Sequence, residues 1–256
     1  MTVRVERTEH VSWVIVDRQE AGNSLGLRDT FELAEKIAKE CTAPGTVAVA
    51  ITGAGDKFFI SGIDLKETAD VKDLDQAWKL MYEGLGGVCR AAFSCRKPVI
   101  AAVNGYALGA GFELLYAADL AYAVRHAKLG VPPVKYGMVP PASSTIGVLL
   151  ANPKLISYLV LTGEMITAEE ALKYGLINDV VDDVESLHRK VEEVAAKIAA
   201  NEPEAVSAAR LLMAEAKMQW LSDKGLRTLA AFTARPVVRT RIEELLFNRG
   251  RKASQG

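Results

Sequence analysis

The sequence has no excess of charge of either sign, few histidines and no long apolar run. Its 256 residues include 31 Lys and Arg against 32 Asp and Glu, a formal net charge of −1. A nucleic-acid surface needs clustered positive charge, so this balance predicts no nucleic-acid partner. No apolar stretch approaches the roughly 20 residues that cross a bilayer, so we predict no membrane span. The three histidines stand at no metal-ligand spacing with acids or cysteines, and we therefore predict no metal.

Cysteine is scarce as well. Cys41, Cys89 and Cys95 are odd in number and lack the paired spacing of a metal site. Residues 1–7 begin directly with an alternating strand pattern, so no targeting segment is expected and the predicted location is the cytoplasm. In that reducing compartment the three cysteines are expected to be buried or free thiols.

What the sequence does have is a regular alternation of strand and helix patterns. Short runs of β-branched and small apolar residues alternate with stretches in which apolar residues recur at helical spacing. This alternation favours an α/β domain with parallel strand pairing. The predicted elements are a hairpin over residues 2–17, strands over 47–52, 98–103 and 119–124, and helices over 27–41, 69–96 and 110–117.

The last part of the chain has a different character. After residue 178 the sequence predicts helices almost without interruption, with Pro203 at a helix start. These helices carry too little apolar sequence to form a core of their own. We therefore predict a core over residues 1–198 and a dependent helical region over residues 199–256.

The most informative segment is VNGYALGAGFELL over residues 103–115. A buried strand leads through a turn of small residues into a helix, an arrangement that points unpaired N–H groups at whatever lies over the helix N-terminus. Glu113 lies about one turn further along. Anion-binding donors beside a proton-transferring group indicate acyl or enolate chemistry. The alternative is a glycine-mediated close crossing inside a core.

A second segment, FFISGIDLK over residues 58–66, narrows this interpretation. Together the two segments resemble the signature blocks of the enoyl-CoA hydratase/isomerase (crotonase) family, and the resemblance extends to residues 17–25 and 161–178. It therefore covers nearly the whole chain. The resemblance implies a spiral of repeated β-β-α units, a C-terminal helical trimerisation region, and a homotrimer or a hexamer of two trimers. It also implies an acyl-CoA thioester as substrate, without a further cofactor.

By the same resemblance, the backbone N–H groups of Ile63 and Ala110 form an oxyanion hole, and Glu113 is the acid/base group. Gly62 and Gly109 precede the two donors in the motif loops. Such donors would hold a thioester carbonyl and stabilise an enolate. The competing interpretations are that Ile63 is only a core residue and that Glu113 is paired with a buried Arg or a backbone group.

The second glutamate of the family's hydratases is missing. Its position, 20 residues after Glu113, is occupied by Pro133, and Pro141 stands where hydratases usually have Gly beside the water. Proline has no ionisable group and cannot hold or activate a water. We therefore expect weak hydratase activity. Decarboxylation, thioester hydrolysis and a catalytically reduced acyl-CoA-binding protein remain alternatives.

Coenzyme A contacts are expected from the motif loops and from basic side chains. Asp64, Lys66 and Arg18 occupy motif positions, although Glu20 stands where many relatives have Lys. Phe247 of a neighbouring subunit, with Arg251 or Lys252, is a further candidate.

Several polar residues near the missing glutamate are weaker candidates. Lys135 and Tyr136 are expected to be solvent-facing residues at a strand end. Ser143, Ser144 and Thr145 follow a proline and are expected more often to cap a helix than to touch substrate.

Overall fold

A computed structural model describes residues 2–220 and 223–253 and shows two sheets. The larger sheet has the strand order β1-β2-β3-β5-β7-β10, and only β1 and β2 pair antiparallel within it. This confirms the hairpin and the parallel α/β domain. Its strands are β1 (Val3–Arg7), β2 (Val11–Val16), β3 (Ala48–Gly53), β5 (Val99–Val103), β7 (Leu120–Val124) and β10 (Asp179–Val181).

The smaller sheet was not predicted, because its strands are three residues long and too short for a periodic pattern. It has the order β4-β6-β8-β9, parallel except for β8 with β9. The chain thus passes repeatedly from the large sheet to the small sheet and then to a helix, which is a succession of β-β-α units. The short strands are β4 (Phe58–Ile60), β6 (Tyr106–Leu108), β8 (Lys128–Gly130) and β9 (Met165–Thr167).

The predicted helices are found except over residues 69–96, where one long helix was predicted, and the helices over residues 65–69, 148–150, 153–162 and 168–173 were not predicted. The predicted long helix is broken, because Asp73 caps a new helix and a π-helical segment, Trp78–Leu85, follows. The helices are α1 (Leu27–Glu40), α2 (Leu65–Ala69), α3 (Leu74–Ala77), α4 (Gly86–Phe93), α5 (Ala110–Ala117), α6 (Val148–Leu150), α7 (Pro153–Thr162), α8 (Ala168–Lys173), α9 (Val184–Ala199), α10 (Pro203–Trp220), α11 (Asp223–Thr233) and α12 (Pro236–Ala253).

The C-terminal helices pack back onto the core of their own chain. Leu229 on α11 and Val238 and Ile242 on α12 join Met81 and Leu85 of the π-helical segment in a second apolar cluster, separate from the main core under the large sheet. The Arg239 guanidinium on α12 donates to the carbonyl of Ala69, the last residue of α2, at 3.0 Å and to that of Val71 at 2.9 Å. Helices α11 and α12 therefore close one side of the cavity described below.

Two of the three cysteines form a disulfide, so the prediction of free thiols is wrong for Cys41 and Cys95. Cys41 follows α1 and Cys95 precedes β5, and folding brings their Cα atoms to 5.1 Å. Their separation of 54 residues in the sequence gave no sign of this contact. Cys89 is a free and buried thiol.

Within the described residues, no helix is long and apolar enough to cross a membrane. No cluster of three or more His, Cys, Asp or Glu side chains there could hold a metal ion.

Candidate active site

A cavity of about 590 Å³ lies between the two motif loops and the C-terminal helices. Nearly all the site residues that were predicted from the sequence line it. The predicted residues that line it are Arg18, Gly62, Ile63, Asp64, Lys66, Gly109, Ala110, Glu113, Pro133 and Pro141.

The two glycine turns abut at the base of the cavity. Gly62 and Gly109 have φ of +117° and +52°, a region that L side chains rarely adopt. A Cβ on Gly62 would lie 3.9 Å from the Ala110 nitrogen, and a Cβ on Gly109 would lie 3.7 Å from the Gly62 Cα. The backbone angles, more than a lack of space, therefore favour glycine at these two turns.

The approach of the turns leaves two N–H groups side by side. Ala110 is the first residue of α5, so its N–H has no partner within the helix. The Ile63 bridge to Leu25 uses the Gly62 carbonyl and the Asp64 N–H rather than the Ile63 N–H. In the described part of the chain neither N–H donates to a protein acceptor. Both are free for an oxygen bound in the cavity.

Small residues also set the position of α5. A Cβ on Gly111 would overlap the Ile60 carbonyl oxygen, so this glycine lets α5 pack directly on β4. The Gly109 N–H donates to the Gly130 carbonyl at 2.9 Å and ties the turn to β8. Neighbouring strands of the small sheet therefore hold both turns.

Glu113 is 5% exposed and faces the cavity from α5. Burial raises the pKa of Glu113 to about 7, and the hydrogen bond from the Ser143 N–H, together with the nearby Ser143 hydroxyl and Ala142 N–H, acts against that rise. The Ser143 N–H donates to Glu113 Oε1 at 2.8 Å. A carboxyl group that is about half ionised near neutral pH suits general base catalysis. The sequence had left pairing of Glu113 with a backbone group as an alternative to a catalytic role. The structure shows such a pairing, and Glu113 nevertheless lines the cavity.

Two buried hydroxyls lie behind Glu113. Ser143 begins a π-helical segment, Ser143–Gly147, and Tyr116 lies one turn after Glu113 on α5. Neither the Ser143 Oγ nor the Tyr116 hydroxyl has a hydrogen-bond partner of good geometry among the described residues. Gly147 leaves room for the phenol, since a Cβ there would lie 2.7 Å from the Tyr116 oxygen. Ser143 therefore holds Glu113 through its backbone, which the sequence did not predict.

Arg18 and Asp64 are joined in an ion pair beside the cavity. The Arg18 guanidinium contacts Asp64 at 2.8 Å and Asp29 at 3.1 Å. The Asp64 carboxylate also accepts from the Lys66 N–H at 2.8 Å and caps α2. Asp64 thus fixes the direction in which the chain leaves the first motif loop, while Lys66 lines the cavity.

A second part of the cavity lining, residues 132–141, is named here the proline wall. It contributes Pro132, Pro133, Pro140 and Pro141, and it adjoins the motif loops, since the Pro133 ring lies 3.8 Å from the position of a Cβ on Gly109. Apart from Tyr136, its cavity-lining side chains are apolar. The part of the lining that carries Gly62, Ile63, Gly109, Ala110 and Glu113 is named the turn wall.

The sequence missed several lining residues. The prediction that Tyr136 is solvent-facing at a strand end is wrong, because it ends a 3₁₀ helix, Pro132–Tyr136, and lines the cavity. Lys135 does face solvent and pairs with Glu164 at 2.8 Å. Helical spacing predicted a buried position for some of the other lining residues, but it did not indicate that they face a cavity. The other lining residues that the sequence did not identify include Met81, Leu85, Met138, Leu229, Leu246 and Arg249.

Phe247 does not line the cavity of its own chain. It lies on α12 with 65% of its surface exposed, whereas Leu246 and Arg249 of the same helix do line the cavity. A contact of Phe247 with a neighbouring subunit's substrate stays a prediction.

Comparison with known proteins gives one consistent family. Residues 6–231 match the model of the enoyl-CoA hydratase/isomerase family. The chain is 37% identical over 211 residues to (E)-benzylidenesuccinyl-CoA hydratase of Thauera aromatica, covering 82% of this chain and 81% of that protein. It is 36% identical over 210 residues to carnitinyl-CoA dehydratase of Salmonella arizonae, covering 81% and 78%.

Solved structures agree. An enoyl-CoA hydratase/isomerase from Mycobacterium paratuberculosis superposes with a TM-score of 0.85 at 25% identity, covering 95% of this chain and 98% of that one. A carnitinyl-CoA dehydratase from Mycobacterium avium gives 0.77 at 30% identity, covering 93% and 94%. The fold expected from the two motif blocks is confirmed.

Proposed function

Because the chain belongs to the enoyl-CoA hydratase/isomerase family, we propose that it forms and quenches thioester enolates of acyl-CoA substrates. The N–H groups of Ile63 and Ala110 hold the thioester oxygen, and the Glu113 carboxylate takes or returns the α-proton. The observation that carries this proposal is the pair of unpaired N–H groups beside a buried, cavity-facing carboxylate. Two such donors stabilise developing negative charge in a site from which water is largely excluded.

Coenzyme A enters this proposal through the charged end of the cavity. Lys57, Lys66 and Arg249 line it, and no ion pair occupies them among the described residues. Arg18 is already bound to two carboxylates, which limits what it offers to a phosphate. We therefore assign the phosphates to these lysines and Arg249 rather than to Arg18.

The reaction type depends on the proline wall. Pro133 and Pro141 offer no group that would hold a water, which favours weak hydration of simple enoyl thioesters. The same dryness suits decarboxylation of a malonyl-type thioester or another one-base reaction. A catalytically reduced acyl-CoA-binding protein would keep the oxyanion hole and lack turnover.

Turnover of a thioester panel separates these possibilities. The panel consists of crotonyl-CoA, β-hydroxybutyryl-CoA, a malonyl-type CoA and butyryl-CoA, the last followed by exchange of its α-proton in deuterated water. We expect exchange of the butyryl-CoA α-proton wherever butyryl-CoA binds, whichever of the other thioesters is turned over. Binding of the thioesters with neither exchange nor turnover would leave only the acyl-CoA-binding alternative.

We further propose a homotrimer or a hexamer of two trimers. Large apolar side chains are exposed on α7 and α10, among them Leu161 at 79% and Leu212 at 68%. Surfaces of this kind mark protein–protein contacts when they are contiguous. Light scattering should give the mass of a trimer or hexamer at micromolar concentration, and a stable monomer would contradict this part of the proposal.

A further inference from the structure

The position of the missing glutamate faces the cavity together with a tyrosine. Pro133 and Tyr136 both belong to the 3₁₀ helix Pro132–Tyr136. Side chains three residues apart eclipse one another in a 3₁₀ helix, so these two lie on one face. Both line the cavity, so this face of the 3₁₀ helix is turned toward it.

Among the side chains of the proline wall that line the cavity, Tyr136 alone can donate a proton. The other residues of that wall that line the cavity are Pro132, Pro133, Met138, Val139, Pro140 and Pro141. The Tyr136 ring is partly buried against the second apolar cluster, which includes Ala110 of the turn wall. Its hydroxyl makes no hydrogen bond among the described residues. A phenol held by its ring, with a free hydroxyl on an otherwise apolar wall of the cavity, is placed to bind a polar atom of the substrate.

We propose that Tyr136 is the second catalytic residue, donating its phenolic proton to an oxygen on the substrate's β-carbon. This inference rests on the proposed function. The Glu113 carboxylate takes the α-proton, and the electrons of the broken C–H bond form the enolate held by Ile63 and Ala110. The enolate electrons then make the α,β double bond as the β-carbon–oxygen bond breaks. The departing oxygen takes the Tyr136 proton and leaves as water.

The cycle closes when Glu113 returns its proton to the tyrosinate through solvent. No oxidant or further reactant is required. The substrate class that follows is a β-hydroxyacyl thioester, with the matching enoyl thioester as the other side of the equilibrium. Decarboxylation would not require the Tyr136 proton, because carbon dioxide leaves without being protonated.

The test compares two reactions of one variant. Tyr136→Phe removes only the hydroxyl, and general acid groups contribute about 10²- to 10⁴-fold, so kcat for dehydration of β-hydroxybutyryl-CoA should fall by about 10²-fold or more. Exchange of the butyryl-CoA α-proton in deuterated water should be unchanged, since it needs Glu113 and the oxyanion hole alone. Tyr158→Phe, on an exposed side chain of α7, is the matched control and should alter neither reaction.

The outcomes are distinguishable. Unimpaired dehydration by Tyr136→Phe, or equal losses in both reactions, would overturn the role of Tyr136, because equal losses indicate a structural effect. A wild-type protein that exchanges the α-proton but dehydrates neither enantiomer of β-hydroxybutyryl-CoA would also overturn it and leave the proposed function standing. Absence of exchange in a wild-type protein that binds the thioester would refute the proposed function itself.

Discussion

The two walls of the cavity differ in the polarity of the groups that they present. The turn wall presents polar groups in a buried setting, and each is held by backbone contacts: the glycine turns by the small sheet, and Glu113 by the Ser143 N–H. The proline wall presents almost no polar group and is shaped by rings that cannot donate from the backbone. In the proposed function, charge develops at the turn wall, and the proline wall determines which groups stand at the β-carbon.

This difference implies that the walls can be altered separately. Changes on the turn wall should abolish enolate formation from every substrate. Changes on the proline wall should leave enolate formation intact and alter which product follows.

Replacing Ala110 by Pro should remove one oxyanion donor while keeping α5. Proline is well tolerated at the first position of a helix, and Gly109 accepts the backbone restriction that proline imposes on its neighbour. Loss of one such donor typically costs about 10²- to 10³-fold in kcat. We expect a loss of that size in α-proton exchange and in dehydration alike, measured at saturating thioester.

Ala110→Gly is the matched variant, because it changes the side chain and retains the N–H. It should lose far less activity than Ala110→Pro. Equal losses in the two variants would show that the methyl group matters and that the N–H does not.

Removing the charge of Glu113 should stabilise the fold at high pH. Below the ordinary glutamate pKa of 4.5, Glu113 is protonated in both the folded and the unfolded state, so its burial does not lower the free energy of unfolding there through ionisation. As pH rises toward 7 the unfolded chain ionises freely while the folded state resists, so native stability falls. Glu113→Gln cannot ionise, so its stability does not fall in this way. Its free energy of unfolding should come to exceed that of the wild type by about 3 kcal/mol.

Denaturant unfolding at about pH 4 and pH 8 would measure that advantage. Gln is nearly the shape of Glu and can still accept from the Ser143 N–H. A stability difference that is constant across pH would contradict the buried ionisation of Glu113.

Placing a carboxylate on the proline wall should give the smallest effect. Pro133→Glu should raise the hydration of crotonyl-CoA, by roughly tenfold because Pro141 still excludes water on the far side. Pro133→Gln is the uncharged control and should give no gain. If both variants gain equally, removal of the ring rather than the carboxylate is responsible.

The turn wall was predictable from sequence because its geometry is local. Small residues followed by an apolar helix carry the information for Gly109, Ala110 and Glu113 within a dozen positions. The bounds of α5, residues 110–117, were predicted correctly for the same reason. The absence of the second hydratase glutamate also followed from a single position, Pro133.

The proline wall and the closing helices depend on contacts distant in sequence. Tyr136 was placed at a strand end because nothing nearby shows that Pro132 begins a 3₁₀ helix. Leu229 and Leu246 show helical spacing, which predicts a buried face without telling a core from a cavity. The Cys41–Cys95 disulfide joins segments that only the folded sheet brings together.

The most direct test of the account is the exchange of the butyryl-CoA α-proton in deuterated water, measured against pH in the wild type and in Glu113→Gln. Since burial raises the pKa of Glu113 to about 7, wild-type exchange should increase with pH and level off above that value. Glu113→Gln should bind the thioester and lose about 10²- to 10⁴-fold of the exchange at every pH. Exchange by Glu113→Gln at the wild-type rate would show that another group takes the α-proton, and the central claim would be wrong.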